Sequence, residues 1–134
     1  MSLHGRVGIV LVSHSALLAE GAAELAGQIS GGAVAIIPAG GTEDGRLGTS
    51  AAKVQQAVKL ADSGAGVLIL PDLGSAVLTV RALLSEGGDL PAPIELADAP
   101  FVEGAVAATV TAAGGGDIAA VLAAAEEARH ARKL

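Results

Sequence analysis

Four short apolar runs, each followed by a helix-like pattern, constrain this chain more than anything else in it. Residues 7–12 (VGIVLV), 33–37 (AVAII), 66–70 (GVLIL) and 94–97 (IELA) recur along the 134 residues. The first and third are continuously apolar rather than alternating, so they read as strands buried on both faces. Strands that alternate with helices imply a parallel sheet with right-handed crossovers and helices on both faces. The sequence therefore predicts one α/β domain over residues 1–134: three layers, with a four-stranded parallel sheet of order 2-1-3-4 flanked by five helices.

The helices follow from apolar spacing and end signals. Residues 16–29 place Leu18, Ala22, Leu25, Ala26 and Ile29 on one face, and Ser30-Gly31-Gly32 ends the pattern. Pro38 closes the second strand, and 39–48 (AGGTEDGRLG) reads as a loop. Thr49-Ser50 caps a helix to about Asp62, striped by Val54, Ala57, Val58 and Ala61. Ser75 reads as the N-cap of a helix through about Ser85. Asp98 reads as the cap of the fourth helix, with Pro100 in its first turn and Val102, Ala105, Val106, Val110 and Ala113 facing inward. Asp117 caps the last helix, with Ile118, Val121, Leu122 and Ala125 inward. Phe101 is expected in the core. The two Ala-rich final helices are expected to cover the sheet, with a dimer face as their other use.

Composition removes several function classes. Half of the chain is apolar, Phe101 is the sole aromatic residue, and the formal net charge is −6. A broad basic surface for nucleic acid is absent, as are aromatic platforms for single strands. With no cysteine there is neither a disulfide scaffold nor a thiolate metal site, which fits a cytoplasmic setting. Residues 1–6 lack the features of a signal peptide, and no apolar run approaches the ~20 residues that span a bilayer, so no membrane insertion is expected.

The chemistry concentrates where strands end. In open parallel sheets the site lies at the carboxyl ends of the strands, where the strand order reverses. Three loops leave those ends: Ser13-His14-Ser15, 40–48, and Pro71-Asp72-Leu73-Gly74-Ser75. Each leads into a helix N-terminus, whose unpaired amides and positive dipole end suit an anion, phosphate above all. His14 stands among them, and a neutral imidazole is a nucleophile toward phosphorus. Its other ring nitrogen then needs a partner, and Asp72 is the best-placed acid. On position alone His14 reads equally as a strand-end residue bonded to a carbonyl, and Asp72 as a helix-entry acid beside Ser75. Ser13, Ser15, Thr42 and Ser75 are candidate phosphate donors. Gly41 and Gly74 let the backbone approach a phosphate. Asp44 and Arg46 read as solvated loop charges, with partner contact the functional reading of Arg46. His4 and His130 are assigned no role, and no metal site is expected.

The motifs VSHS (12–15) with LAEG (18–21), GGTEDGRLGTS (40–50), PDLGSA (71–76) with Thr79, and DAPFVEGA (98–105) together carry a resemblance. Over residues 7–125 the chain resembles the phosphotransfer subunits of bacterial dihydroxyacetone kinases, which belong to the phosphoenolpyruvate phosphotransferase system. It is similar in turn to the mannose-type IIA domains. The resemblance implies that His14 accepts a phosphoryl group from the histidine phosphocarrier protein. It also implies that His14 passes the group to ADP on the nucleotide-binding subunit of the kinase. Asp72 would then pair with the active histidine. A homodimer is implied, and no cofactor is needed by this chain itself. The alternative within the same chemistry is the IIA domain of a mannose-family sugar permease. A tetrapyrrole metal chelatase, which also sets a histidine after the first strand, is a weaker alternative because no second histidine lies in a site loop. A receiver-like switch would need an acid pair where this first strand ends in Ser-His-Ser.

Overall fold

The computed structural model describes residues 5–134; His4, assigned no role from the sequence, lies outside the described residues. The chain runs β1 (Gly8–Ser13), α1 (Ala16–Ser30), β2 (Ile36–Gly40), α2 (Ala51–Ala61), β3 (Val67–Pro71), α3 (Gly74–Glu86), β4 (Ile94–Leu96), α4 (Phe101–Ala113) and α5 (Ile118–Glu127), with a closing 3₁₀ turn at Ala128–His130. The four strands form one sheet in the order β2-β1-β3-β4. Every pairing is parallel: Ile9 stands opposite Ile36 and Leu68, and Val67 opposite Ile94. The expected fold class, strand order and helix number are all observed.

The reason β1 and β3 are continuously apolar is visible in the two cores. Successive strand side chains point to opposite faces. Ile9, Leu11, Leu68 and Leu70 pack against Ala22 and Ala26 of α1, Ala105, Ala108 and Ala112 of α4, and Val121 and Ala125 of α5. Val10, Val12, Val67 and Ile69 pack on the other face against Val54, Ala57, Val58 and Ala61 of α2 and Ala76 and Val80 of α3. The stripe expected on α2 is the one observed. Phe101 is partly buried against the first core, as expected. Gly8 exists for the second layer: a Cβ there would strike the Ala61 carbonyl at the end of α2.

Several local expectations are corrected. Pro38 does not close the second strand but lies inside β2, opposite Leu11. That strand is the sheet edge, where a missing N–H removes no ladder bond. On α1 the buried face is Ala19, Ala22 and Ala26, while Leu18, Leu25 and Ile29 are 44–49% exposed. On α4 it is Gly104, Ala105, Ala108, Thr109 and Ala112, with Val102 and Val110 outward. The physical reason is shared. Small residues let a helix sit close on the sheet, and the larger apolar residues straddle that contact line. Thr109 is tolerated because its hydroxyl donates to the Ala105 carbonyl at 2.7 Å.

Caps differ too. Ser50 and Asp117 cap α2 and α5 through the amides of Lys53 and Ala120, as expected. Leu73, not Ser75, holds the N-cap position of α3, and no side chain caps that helix. Pro100 holds the N-cap position of α4. Asp98 is turned instead toward α5: its carboxylate pairs with Arg129 at 3.3 Å, and its amide donates to Glu126 at 3.1 Å.

Candidate functional site

His14 is the first residue beyond β1, at the carboxyl edge of the strand that pairs on both sides. Its neighbours arrive by the same topology. β3 ends at Pro71, so Asp72 emerges beside Ser13, and the Asp72 amide donates to the Val12 carbonyl at 3.0 Å. β2 ends at Gly40, and the Gly41 amide donates to the Ser13 carbonyl at 3.1 Å. Gly40 itself is required for closeness: a Cβ there would lie 2.5 Å from the Ser15 carbonyl oxygen. The loop after it returns to the site through Gly48, whose amide donates to the His14 carbonyl at 2.9 Å.

The Asp72 carboxylate organises this corner. Oδ1 lies 3.0 Å from His14 Nδ1 and accepts from the Leu73 amide at 2.7 Å. Oδ2 accepts from Ser13 Oγ at 2.8 Å and from the His14 amide at 3.1 Å. Burial pushes this carboxyl up. The Ser13 hydroxyl, the His14 amide, the His14 ring and the Leu73 amide outweigh it and hold Asp72 below the ordinary carboxylate range. An ionised carboxylate only accepts, so the His14 proton shared with it sits on Nδ1. That leaves the Nε2 lone pair outward, where the Ser75 hydroxyl makes a hydrogen bond to it. The imidazole is 26% exposed and the Asp72 side chain 8%. Both residues are thus fixed from behind, with the ring open at its far nitrogen.

The α3 N-terminus faces this same corner. Because no side chain caps it, the amides of its first turn, at Gly74 and Ser75, are left for an outside acceptor. Beside it opens a groove lined by Asp72, Leu73, Gly74, Val77 and Arg81 together with residues 96–99.

The proposed site residues therefore fall into distinct positions. His14, Asp72, Gly74 and Ser75 are brought together. Ser13 is fully buried, and its hydroxyl donates to Asp72 while accepting from the Ser15 amide at 3.0 Å. It supports the carboxylate rather than reaching outward to a phosphate. Ser15 is the N-cap of α1, accepting from the Leu18 amide at 3.2 Å. The Gly41 amide is spent on Ser13, so that glycine contributes backbone closure. Thr42 turns its hydroxyl into its own loop, donating to Asp44 and accepting from the Arg46 amide at 3.0 Å. Arg46 pairs with Asp44 at 3.2 Å on the exposed loop tip. Sequence reasoning missed Arg81. Its signal was the seven-residue spacing from Gly74, which sets both on one helix face. Thr49, read from the sequence as sharing the α2 cap with Ser50, does not cap it: its hydroxyl is buried without a hydrogen-bond partner next to the bridge between Gly41 and Thr49.

Among the described residues no cluster of three or more His, Asp or Glu side chains is spaced to hold a metal ion. No helix of the described residues is long and apolar enough to cross a membrane.

A histidine on the central strand, its inner nitrogen held by a carboxylate from the next strand, defines a class as well as a geometry. The family model described as the PTS system fructose IIA component matches residues 8–122, and the chain belongs to that mannose-type IIA family. Relatives narrow the comparison. The chain is 38% identical over 131 residues to the phosphoryl donor subunit DhaM of the PEP-dependent dihydroxyacetone kinase of Providencia stuartii, and 39% identical over 131 residues to that of Escherichia coli. In each case the match covers 95% of this chain and 28% of the relative, so the chain spans little more than a quarter of those proteins. A DhaM of the second PEP-dependent dihydroxyacetone kinase of Listeria innocua is 39% identical over 105 residues, covering 78% of this chain and 84% of that protein. The crystal structure of EF1359, a protein of unknown function, superimposes with a TM-score of 0.81 at 37% identity, covering 91% of this chain and 94% of that one.

Proposed function

We propose that this chain is a phosphohistidine carrier that receives a phosphoryl group on His14 Nε2 and hands it to a kinase subunit. The observation that carries this reading is the pairing of His14 Nδ1 with Asp72 while Nε2 points toward the uncapped end of α3. The Nε2 lone pair attacks phosphorus, the P–N bond forms, and the bond from phosphorus to the donor breaks. The Nδ1 proton stays on the ring. The positive charge that develops there is balanced by Asp72, and the phosphate oxygens meet the Gly74 and Ser75 amides and the Ser75 hydroxyl. Return of the phosphoryl group reverses these steps, with an acceptor oxygen as the new partner.

The proposed donor is the histidine phosphocarrier protein, and the proposed acceptor is ADP on the nucleotide-binding subunit of dihydroxyacetone kinase, which becomes ATP. The names of the relatives as phosphoryl donor subunits of that kinase support this acceptor over a sugar permease component. The reading places the chain in the cytoplasm, where donor and acceptor are found. It also carries a homodimer, supported by the apolar residues that α1 and α4 turn outward, among them Leu25, Ile29 and Val110.

The test is reconstitution. With phosphoenolpyruvate, the general phosphotransfer enzyme and the carrier supplied, intact-protein mass spectrometry should show one acid-labile phosphoryl group. His14→Ala should abolish it, and labelling that persists in that variant overturns the proposal. Transfer onward to ADP plus the kinase subunit separates this reading from the permease alternative.

A further inference from the structure

We propose that four exposed leucines, Leu17, Leu47, Leu73 and Leu78, form an apolar collar around His14 that seats the kinase subunit receiving its phosphoryl group; the proposal rests on the carrier reading above. These side chains are 81%, 79%, 63% and 68% exposed, among the most exposed large apolar residues described. They come from three separate parts of the chain, so no single helix stripe accounts for them. Two are tied to the site by backbone hydrogen bonds and two by their place in the chain. Leu17 lies in the first turn of α1, three residues past His14. Leu47 precedes Gly48, whose amide holds the His14 carbonyl. The Leu73 amide donates to Asp72 Oδ1. Leu78 stands one turn beyond Gly74 on α3.

Of the four only Leu73 lines the groove beside Asp72; Leu17, Leu47 and Leu78 stand outside it and offer a small molecule in that groove nothing to bind. They do offer a protein a convex apolar rim, and an exposed cluster of this kind marks an interaction surface. Covering the rim also keeps water from the phosphoramidate while it transfers. Charge favours the acceptor as occupant. The chain carries a net −6, yet the groove that opens beside Asp72 presents Arg81, a cation placed to face the polyphosphate of a bound nucleotide.

The test loads His14 without any protein donor, using phosphoramidate, and then times transfer to the nucleotide-binding subunit of dihydroxyacetone kinase carrying ADP. The Leu17→Gln/Leu78→Gln double variant should load like the wild type. It should transfer about tenfold more slowly at low subunit concentration and recover at saturation, because docking alone is weakened. Leu60→Gln, an exposed leucine in the last turn of α2, should transfer normally. If the loaded double variant transfers at the wild-type rate, the collar is refuted and the carrier reading stands. If it is slowed only in accepting phosphate from the histidine phosphocarrier protein, the occupant is the donor and this assignment fails. If phosphoramidate loads His14→Ala as well as the wild type, both proposals fall together.

Discussion

Ser13 and His14, adjacent in the chain, bind opposite oxygens of one carboxylate: Ser13 Oγ donates to Asp72 Oδ2 at 2.8 Å, and His14 Nδ1 meets Asp72 Oδ1 at 3.0 Å. The serine is fully buried and the imidazole is not. The buried hydroxyl thereby sets the angle of the carboxylate, and the carboxylate sets the ring.

Replacing Asp72 by Asn should leave the fold intact and slow phosphoryl transfer. Asn presents an amide that cannot balance the charge on Nδ1 and favours the wrong tautomer at one of its two orientations. A loss of about a hundredfold in the rate of His14 phosphorylation is expected, measured by quenched-flow labelling. Wild-type rates in Asp72→Asn would remove the carboxylate from the mechanism.

Asp72 also predicts a pH dependence of stability. Its folded pKa is depressed below the ordinary 3.8. The stabilisation from its ionised form is therefore complete above the unfolded value and is lost as pH falls through the lower, folded value. Thermal unfolding across the acid range should show the wild-type advantage over Asp72→Asn at pH 5 shrinking below pH ~4. In Ser13→Ala the carboxyl loses one of its donors, so its titration, followed by carbon NMR, should move back up toward the ordinary range.

Gly40→Ala tests the joint between β2 and α1. The added Cβ would lie 2.5 Å from the Ser15 carbonyl oxygen and 2.7 Å from the Ala16 Cα, both backbone atoms that cannot rotate away. A cost of about 1–3 kcal/mol is expected, read from chemical denaturation. Because the shifted segment carries His14, phosphorylation should slow as well.

Thr49→Val should be neutral or stabilising by up to about 1 kcal/mol. The Thr49 hydroxyl is buried with no partner, so the isosteric methyl removes an unmet polar group. A loss of stability would show that the hydroxyl has a partner after all, such as an ordered water.

Much of this architecture was legible in the chain, and the reasons are specific. Gly8 and Gly66 apart, every side chain of residues 7–12 and 66–70 is apolar because it meets a helix layer, and that alone implies strands covered on both faces. The α2 stripe was read correctly because its apolar positions are few and separated by polar ones. The α1 and α4 faces were misread for the opposite reason. When nearly every position is apolar, periodicity cannot tell the contact line from its shoulders, and size does: alanine goes in and leucine straddles. Pro38 misled because an edge strand tolerates what a central one does not. At the site, His14 and Asp72 could be nominated from strand ends. The fate of each hydroxyl could not, since whether Ser13 faces a phosphate or a carboxylate depends on which way β1 is turned at its last residue.

β1 carries a further consequence. It is the one strand described here with long pairings on both flanks and helices above and below. Its amides should be among the slowest in the molecule to exchange with deuterium, opening only when everything opens. The imidazole is mounted one residue past that anchorage, on the stiffest post available. Visiting molecules must therefore do the travelling, and docking accuracy rather than side-chain swing becomes the quantity selection can tune.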